Sequence, residues 1–197
     1  MRRQGSFLKL VVTAVCVFTL SGCSSVDNRQ IYDKMTAEAL YRKAYKQINS
    51  QHIKQGIDTL DALEARYPFG PYAEKAQLTS IYANYEMDDY PGTAAAADRF
   101  IQLHPRHEHV DYAYYMQALS GFQEALIGMN RYLSIPRSER DISSSEKAYF
   151  EFARLIERFP NSIYAPDSYQ RMVYLKNVMA DHQLVCLLYT SPSPRDS

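Results

Sequence analysis

An all-α superhelix of stacked helical hairpins, an α-solenoid, is the fold this sequence predicts. Three observations predict it: an apolar stripe of helical period that recurs three times, a proline that stops each stripe, and a small residue at a fixed distance before each proline. No stretch alternates apolar and polar residues with period two for long enough to make a strand.

The chain opens with Arg2, Arg3 and Lys9, then an apolar run from Leu10 to Leu20, then Ser21, Gly22 and Cys23. The run is too short to cross a bilayer core, which needs roughly twenty residues in a helix. A basic start followed by a short apolar run is the pattern of a secretory signal. Leu20-Ser21-Gly22-Cys23 resembles the lipobox of bacterial lipoproteins, which implies that residues 1–22 are removed and that Cys23 becomes the acylated first residue. The alternative for Cys23 is an ordinary buried cysteine behind a plain secretory cleavage, and its position and flanking residues argue against it. Each buried CH₂ of an acyl chain adds about 0.8 kcal/mol, so several chains make a permanent anchor. Ser24 stands where an aspartate would resemble an inner-membrane retention signal, which favours the outer membrane. Residues 23–30 then read as the lipidated cysteine and a polar leash, and residues 31–184 as the repeat domain.

Composition narrows the function. Removing the signal takes away three basic residues, leaving 19 basic against 22 acidic, about −3. That balance is not the basic stripe of a nucleic-acid binder. Cys16 leaves with the signal and Cys23 is taken by lipid, so no disulfide framework is expected. Seventeen tyrosines and no tryptophan suit half-buried surfaces, since the tyrosine ring packs while its hydroxyl tolerates water.

The apolar periodicity predicts helices over 36–50, 52–66, 72–88, 91–103, 110–128, 145–158 and 165–183. Three of them end alike, at Arg66-Tyr67-Pro68, Leu103-His104-Pro105 and Arg158-Phe159-Pro160. Counting back from each proline, position −12 is Gly56, Thr93 or Ala148, position −8 is Leu60, Ala97 or Phe152, and position −5 is Leu63, Phe100 or Leu155. These spacings share one helical face. The small residue at −12 lets two helices of a hairpin approach closely. After each proline a new helix opens with Tyr72-Ala73, Tyr112-Ala113 or Tyr164-Ala165, and ten residues later come Tyr82, Phe122 and Tyr174.

Pro68 to Pro105 spans 37 residues, close to the 34 of a tetratricopeptide unit. Pro105 to Pro160 spans 55, and the excess between Met129 and Ser145 reads as a loop inserted into the third hairpin. Ser143 to Ser145 with Glu146 supply N-cap candidates for the helix that follows. Val185 to Ser197 lacks helical periodicity, ends in two Ser-Pro steps and reads as a tail foreign to the repeat.

Arg66-Tyr67-Pro68-Phe69-Gly70-Pro71-Tyr72, Asp98-Arg99-Phe100-Ile101, Asp111-Tyr112, Tyr115-Met116, Arg137-Ser138-Glu139-Arg140-Asp141 and Pro160-Asn161-Ser162 with Tyr164 together resemble the BamD family, in order, from the lipobox to about Leu184. The resemblance implies a non-catalytic tetratricopeptide-like scaffold of the machine that assembles β-barrel proteins into the outer membrane. It implies partners as well: the POTRA domains of the barrel-forming subunit, the smaller assembly lipoproteins and the C-terminal targeting segments of unfolded barrel proteins. The family pocket carries over to Tyr67 and Arg99, with Phe69 and Tyr72 as its walls. The family's second pocket arginine, three residues after Arg99, is Gln102 here, a departure that bears on the pocket's charge. The resemblance also implies that the tail replaces a fifth repeat.

Other chemistry is thinly represented. His104, His107 and His109 straddle Pro105 in a connector without helical i, i+4 pairing, so solvated turn residues are expected in place of a metal site. His182 and Cys186 have that spacing, but the cysteine belongs to the tail. Asp88-Asp89 reads as a solvated turn. Nucleophile-elbow, P-loop, dinucleotide-binding and zinc-protease motifs are all missing, so neither enzyme activity nor a cofactor is expected. The competing reading is a different periplasmic repeat lipoprotein that serves cell-wall or division proteins. A third, an enzyme with its site in the Met129 to Ser145 loop, has no motif behind it.

Overall fold

A computed structural model describes residues 35–131 and 142–190, which form seven helices and no strand. Cys23, the leash and most of the inserted loop, including Arg137 to Asp141, lie outside the described residues. The helices are α1 (Ala37–Asn49), α2 (Ile53–Arg66), α3 (Pro71–Glu86), α4 (Tyr90–Leu103), α5 (Val110–Arg131), α6 (Ser143–Arg158) and α7 (Ala165–Thr190). Each packs on the next, and α1 also meets α3 and α3 meets α5, so the odd-numbered helices form one layer of the stack.

The first hairpin shows how sequence closes the unit. Thr36 caps α1 by accepting from the Ala39 N–H at 3.3 Å, and Leu40, Ala44 and Ile48 form its buried stripe. Helix α2 buries Gly56, Thr59, Leu60 and Leu63 against it. A Cβ at Gly56 would run into Ile48 Cγ1 and lie 3.2 Å from the Ala44 carbonyl oxygen, so only glycine lets the backbones come this close. The same register holds in the later repeats, where Thr93, Ala97 and Phe100, then Ala148, Phe152 and Leu155, are all fully buried.

Two kinds of turn join the helices. Within the first two hairpins, Gln51 (φ 63°) and Asp88 (φ 57°) adopt the left-handed conformation after the helix end. There the His52 N–H reaches the Gln47 carbonyl at 2.9 Å and the Asp89 N–H reaches Asn84 at 3.0 Å, the long return bond of a Schellman ending. Between hairpins, Tyr67, His104 and Phe159 hold nearly one conformation (φ −126°, −130° and −133°). The proline that follows each of them disfavours the helical region for the residue before it, so the helix stops there.

The structure departs from the sequence reading at three ends. Ser143 to Ser145 are not caps: α6 already includes them, its N-cap Ile142 makes no side-chain bond, and Ser145 is buried as a small residue in the packing. Helix α5 continues three residues past the expected Gly128. Helix α7 continues past Gln183 to Thr190, so residues 185–190 are helical and the tail does not break the repeat where expected. Extending an established helix costs little, and the first breaker is Pro192. Among the described residues, no helix is long and apolar enough to cross a membrane.

Candidate functional site

The link between the first two hairpins exposes an aromatic residue. Pro68 and Pro71 bracket Phe69, which is 90% exposed, and Gly70 at φ 103° makes the turn that few other residues could hold. Pro71 then starts α3 at a position where its missing N–H is harmless. The Tyr67 ring lies under the Arg66 guanidinium, 5.6 Å from centroid to carbon, and Arg66 Nε donates to the Tyr67 hydroxyl at 3.3 Å. Tyr72 leans the other way, 6.0 Å from the Tyr41 ring on α1 and with the Lys75 ammonium 5.7 Å from its centroid.

Arg99 reaches this region from α4. Its guanidinium meets Glu64 of α2 at 3.0 Å, so it bridges the first two hairpins instead of pairing with its neighbour Asp98. Arg99 is 64% exposed and Glu64 only 14%. Burial raises the Glu64 pKa. Arg99's charge and hydrogen bonds from Gln77 and Arg99 oppose the rise, Asp61 adds to it, and the balance stays above the ordinary value. Gln102 donates to Asp98 at 2.6 Å within α4. The four residues expected from resemblance thus divide by partner: Arg99 joins α2, Tyr67 packs with Arg66 and Tyr72 with α1, while Phe69 stands in water.

Sequence reasoning missed Glu64. A signal was present, because position −4 before the proline is Ile101 and Ile156 in the other repeats and a carboxylate only in the first. It also missed a second polar joint between the third hairpin and α7. Tyr115 of α5 stacks on Tyr164 at 4.7 Å and donates to Asp167 at 2.8 Å, while Arg171 Nε donates to the same carboxylate oxygen at 2.6 Å. The Arg171 guanidinium lies 5.0 Å from the Phe122 ring centroid. Burial and the bond to Asp167 push the Tyr115 hydroxyl up to about 12.

The histidines of the second link pack on the core edge and on one another. His104 and His107 both contact the buried Phe100, at 5.0 and 5.2 Å, and face the Glu74 carboxylate at 3.8 and 3.6 Å. Their ring centroids are 6.4 Å apart, too far to share one tetrahedral ion at about 2.0–2.1 Å per nitrogen without rearrangement. Among the described residues, no group of three or more metal-binding side chains converges. Asp89 of the acidic pair is the N-cap of α4, accepting from the Gly92 N–H at 3.0 Å, and Asp88 accepts from the Tyr90 hydroxyl. Cys186 Sγ lies 3.9 Å from His182 Nδ1.

Stacked helical hairpins joined through proline-marked links define a helical-repeat protein. A family model described as outer membrane lipoprotein matches residues 33–191. The outer membrane protein assembly factor BamD of Neisseria meningitidis serogroup B is 35% identical over 185 residues, covering 92% of this chain and 69% of the relative. The Vibrio cholerae protein of that name is 37% identical over 165 residues, 84% and 68% of the two chains, and that of Pasteurella multocida 36% over 188 residues, 93% and 68%. The chain belongs to this BamD family of outer membrane lipoproteins. These relatives carry the name of assembly factors. The match runs past residue 184, which agrees with the helix reaching Thr190.

Proposed function

We propose that the protein is a non-catalytic scaffold and substrate-recognition subunit of the machine that assembles β-barrel proteins into the outer membrane. It is held at the periplasmic face by lipid on Cys23. The observation that carries this reading is a family match along nearly the whole hairpin stack to relatives named as assembly factors. On this reading the stack docks on the POTRA domains of the barrel-forming subunit and on the smaller assembly lipoproteins. The joint of the first two hairpins receives the targeting segment of an unfolded barrel protein, with Arg99 meeting its terminal carboxylate and Tyr67, Phe69 and Tyr72 offering ring faces. A charge-assisted hydrogen bond is stronger than a neutral one, about 1.5–3 kcal/mol.

Three experiments test it. Cys23→Ser should move the protein from the outer-membrane fraction to the soluble periplasm, and retention at the wild-type level in the absence of partner subunits would refute the anchor. Arg99→Ala should weaken binding of a barrel-derived C-terminal peptide about tenfold, the equivalent of 1.4 kcal/mol, with helix content unchanged. Arg106→Ala, at an exposed connector, is the control. Equal affinities in fluorescence anisotropy would remove Arg99 from the site. Co-purification with cell-wall or division proteins and no barrel subunit would favour the other reading of a repeat lipoprotein.

A further inference from the structure

Position −4 before a hairpin-ending proline packs at the edge of the adjoining core. Ile101 and Ile156 occupy it in the second and third repeats, each partly buried against a cluster of buried residues. In the first repeat the position is Glu64, whose side chain is 14% exposed beneath a guanidinium that is 64% exposed. A carboxylate has been set where the repeat otherwise places a branched hydrocarbon, and the cation that covers it is the one open to water. The groups that face it come from three helices: Asp61 of its own helix, Gln77 of α3 and Arg99 of α4, with Asp58 facing Asp61 in turn. Gln77 is itself nine-tenths buried, and its Oε1 has no hydrogen-bond partner. Arg99 therefore serves two carboxylates, Glu64 and Asp61, and Gln102 adds no charge and is engaged with Asp98.

We infer that Glu64 is the selectivity residue of this joint: a built-in carboxylate that a ligand's terminal carboxylate must displace from Arg99, with Glu64 taking up a proton from solvent as it loses its counter-charge. The ligand enters as an anion, Arg99 stays charged, and the proton restores the balance of the buried group. This inference rests on the reading of Arg99 given above. Burial already holds Glu64 towards its neutral form, which eases the exchange. The internal competitor makes the site reject weak or misplaced acids, because a ligand gains only the difference between its own carboxylate and the resident one.

The test uses the full chain and a short synthetic peptide ending in phenylalanine, prepared as the free acid and as the C-terminal amide. Calorimetry at mildly acidic pH, in two buffers of different ionisation enthalpy, reads affinity and proton uptake together. The wild type should take up a proton when it binds the acid and none when it binds the amide. Glu64→Gln should bind the acid about tenfold more tightly with no proton uptake, the amide being unchanged, as removal of a competing charge near 1.4 kcal/mol would give. Glu64→Ile, which copies the other repeats, should do the same and guards against a fault peculiar to glutamine. Acid affinity unchanged or lower in both variants would overturn the inference. An Arg99→Ala protein that keeps the preference for acid over amide would instead overturn the underlying reading, and the inference with it.

Discussion

A carboxylate beside an arginine stands at two joints of the stack, across hairpins at the first and within one helix at the second, and is pushed in opposite directions. Between the first two hairpins Glu64 meets Arg99, and burial wins, raising the carboxyl pKa. At the joint of the third hairpin with α7, Asp167 meets Arg171 of its own helix and Tyr115 of α5. Burial again pulls upward, but hydrogen bonds from Arg171 and Tyr115, with the arginine's charge, outweigh it and lower the pKa. Asp167 is also 43% exposed against 14% for Glu64. Each carboxylate receives two side-chain donors, so access to water and the neighbouring Asp61 carboxylate, more than the presence of an arginine, decide which way the group is pushed. One joint is a settled structural bond, and the other holds a charge under strain.

The strongest way to break the comparison is to loosen the hairpin that carries one of the two joints. Gly56→Leu should overpack α1 against α2, at a cost of about 1–3 kcal/mol. For a chain of this size about 2–4 °C of thermal midpoint is lost per kcal/mol. Because repeats contact mainly their neighbours, hydrogen exchange should quicken across the first hairpin and stay slow around Tyr115 and Asp167. Uniform loss of protection would mean that the stack unfolds as one unit and that the two joints cannot be treated apart.

A smaller effect comes from taking one donor away. Tyr115→Phe should cost about 0.5–1.5 kcal/mol in chemical denaturation, the net worth of a hydrogen bond. It should also move the Asp167 carboxyl upward, towards the behaviour of Glu64, in an NMR titration. An Asp167 that titrates as before would assign its low pKa to Arg171 alone.

The smallest effect is a slope against pH. Glu64 binds its proton more tightly folded than unfolded, so its contribution falls as pH rises from its ordinary value of 4.5 towards the raised one. Asp167 behaves the other way: its contribution is present above its ordinary value of 3.8 and is lost as pH falls through the lowered one. Glu64→Gln should therefore remove a decline in stability just above pH 4.5 and leave the loss at lower pH in place. An unaltered profile in urea denaturation across that range would mean that Glu64 is not the group under strain.

The sequence made the architecture legible because its punctuation is local. A proline after Tyr67, His104 or Phe159 stops a helix wherever it occurs, and Gly56, Thr93 and Ala148 announce a close approach without reference to the partner helix. The ends that went unread lacked such marks. Val185 to Thr190 carry no breaker, and the serines before Glu146 look like caps because their role in packing depends on a neighbouring helix. The site was less legible for the same reason. Phe69 was expected as a pocket wall and stands exposed between two prolines, and Glu64 and Arg99 are far apart in sequence and meet only once two hairpins have stacked. The break in the isoleucine pattern at Glu64 was the one local trace of that meeting.

The near-identical backbone of Tyr67, His104 and Phe159 has a consequence for how such a protein can change over generations. Each hairpin is handed to the next through a joint whose angle is set by covalent geometry and one ring. Lengthening the connection inside a hairpin leaves that angle alone, and in the sequence the additional residues fall between α5 and α6, inside the third hairpin. Closing a longer loop costs only about 0.6 kcal/mol per doubling of its length. One rim of the stack is therefore free to vary and acquire new contacts, while the other rim keeps the spacing that an extended guest would have to match.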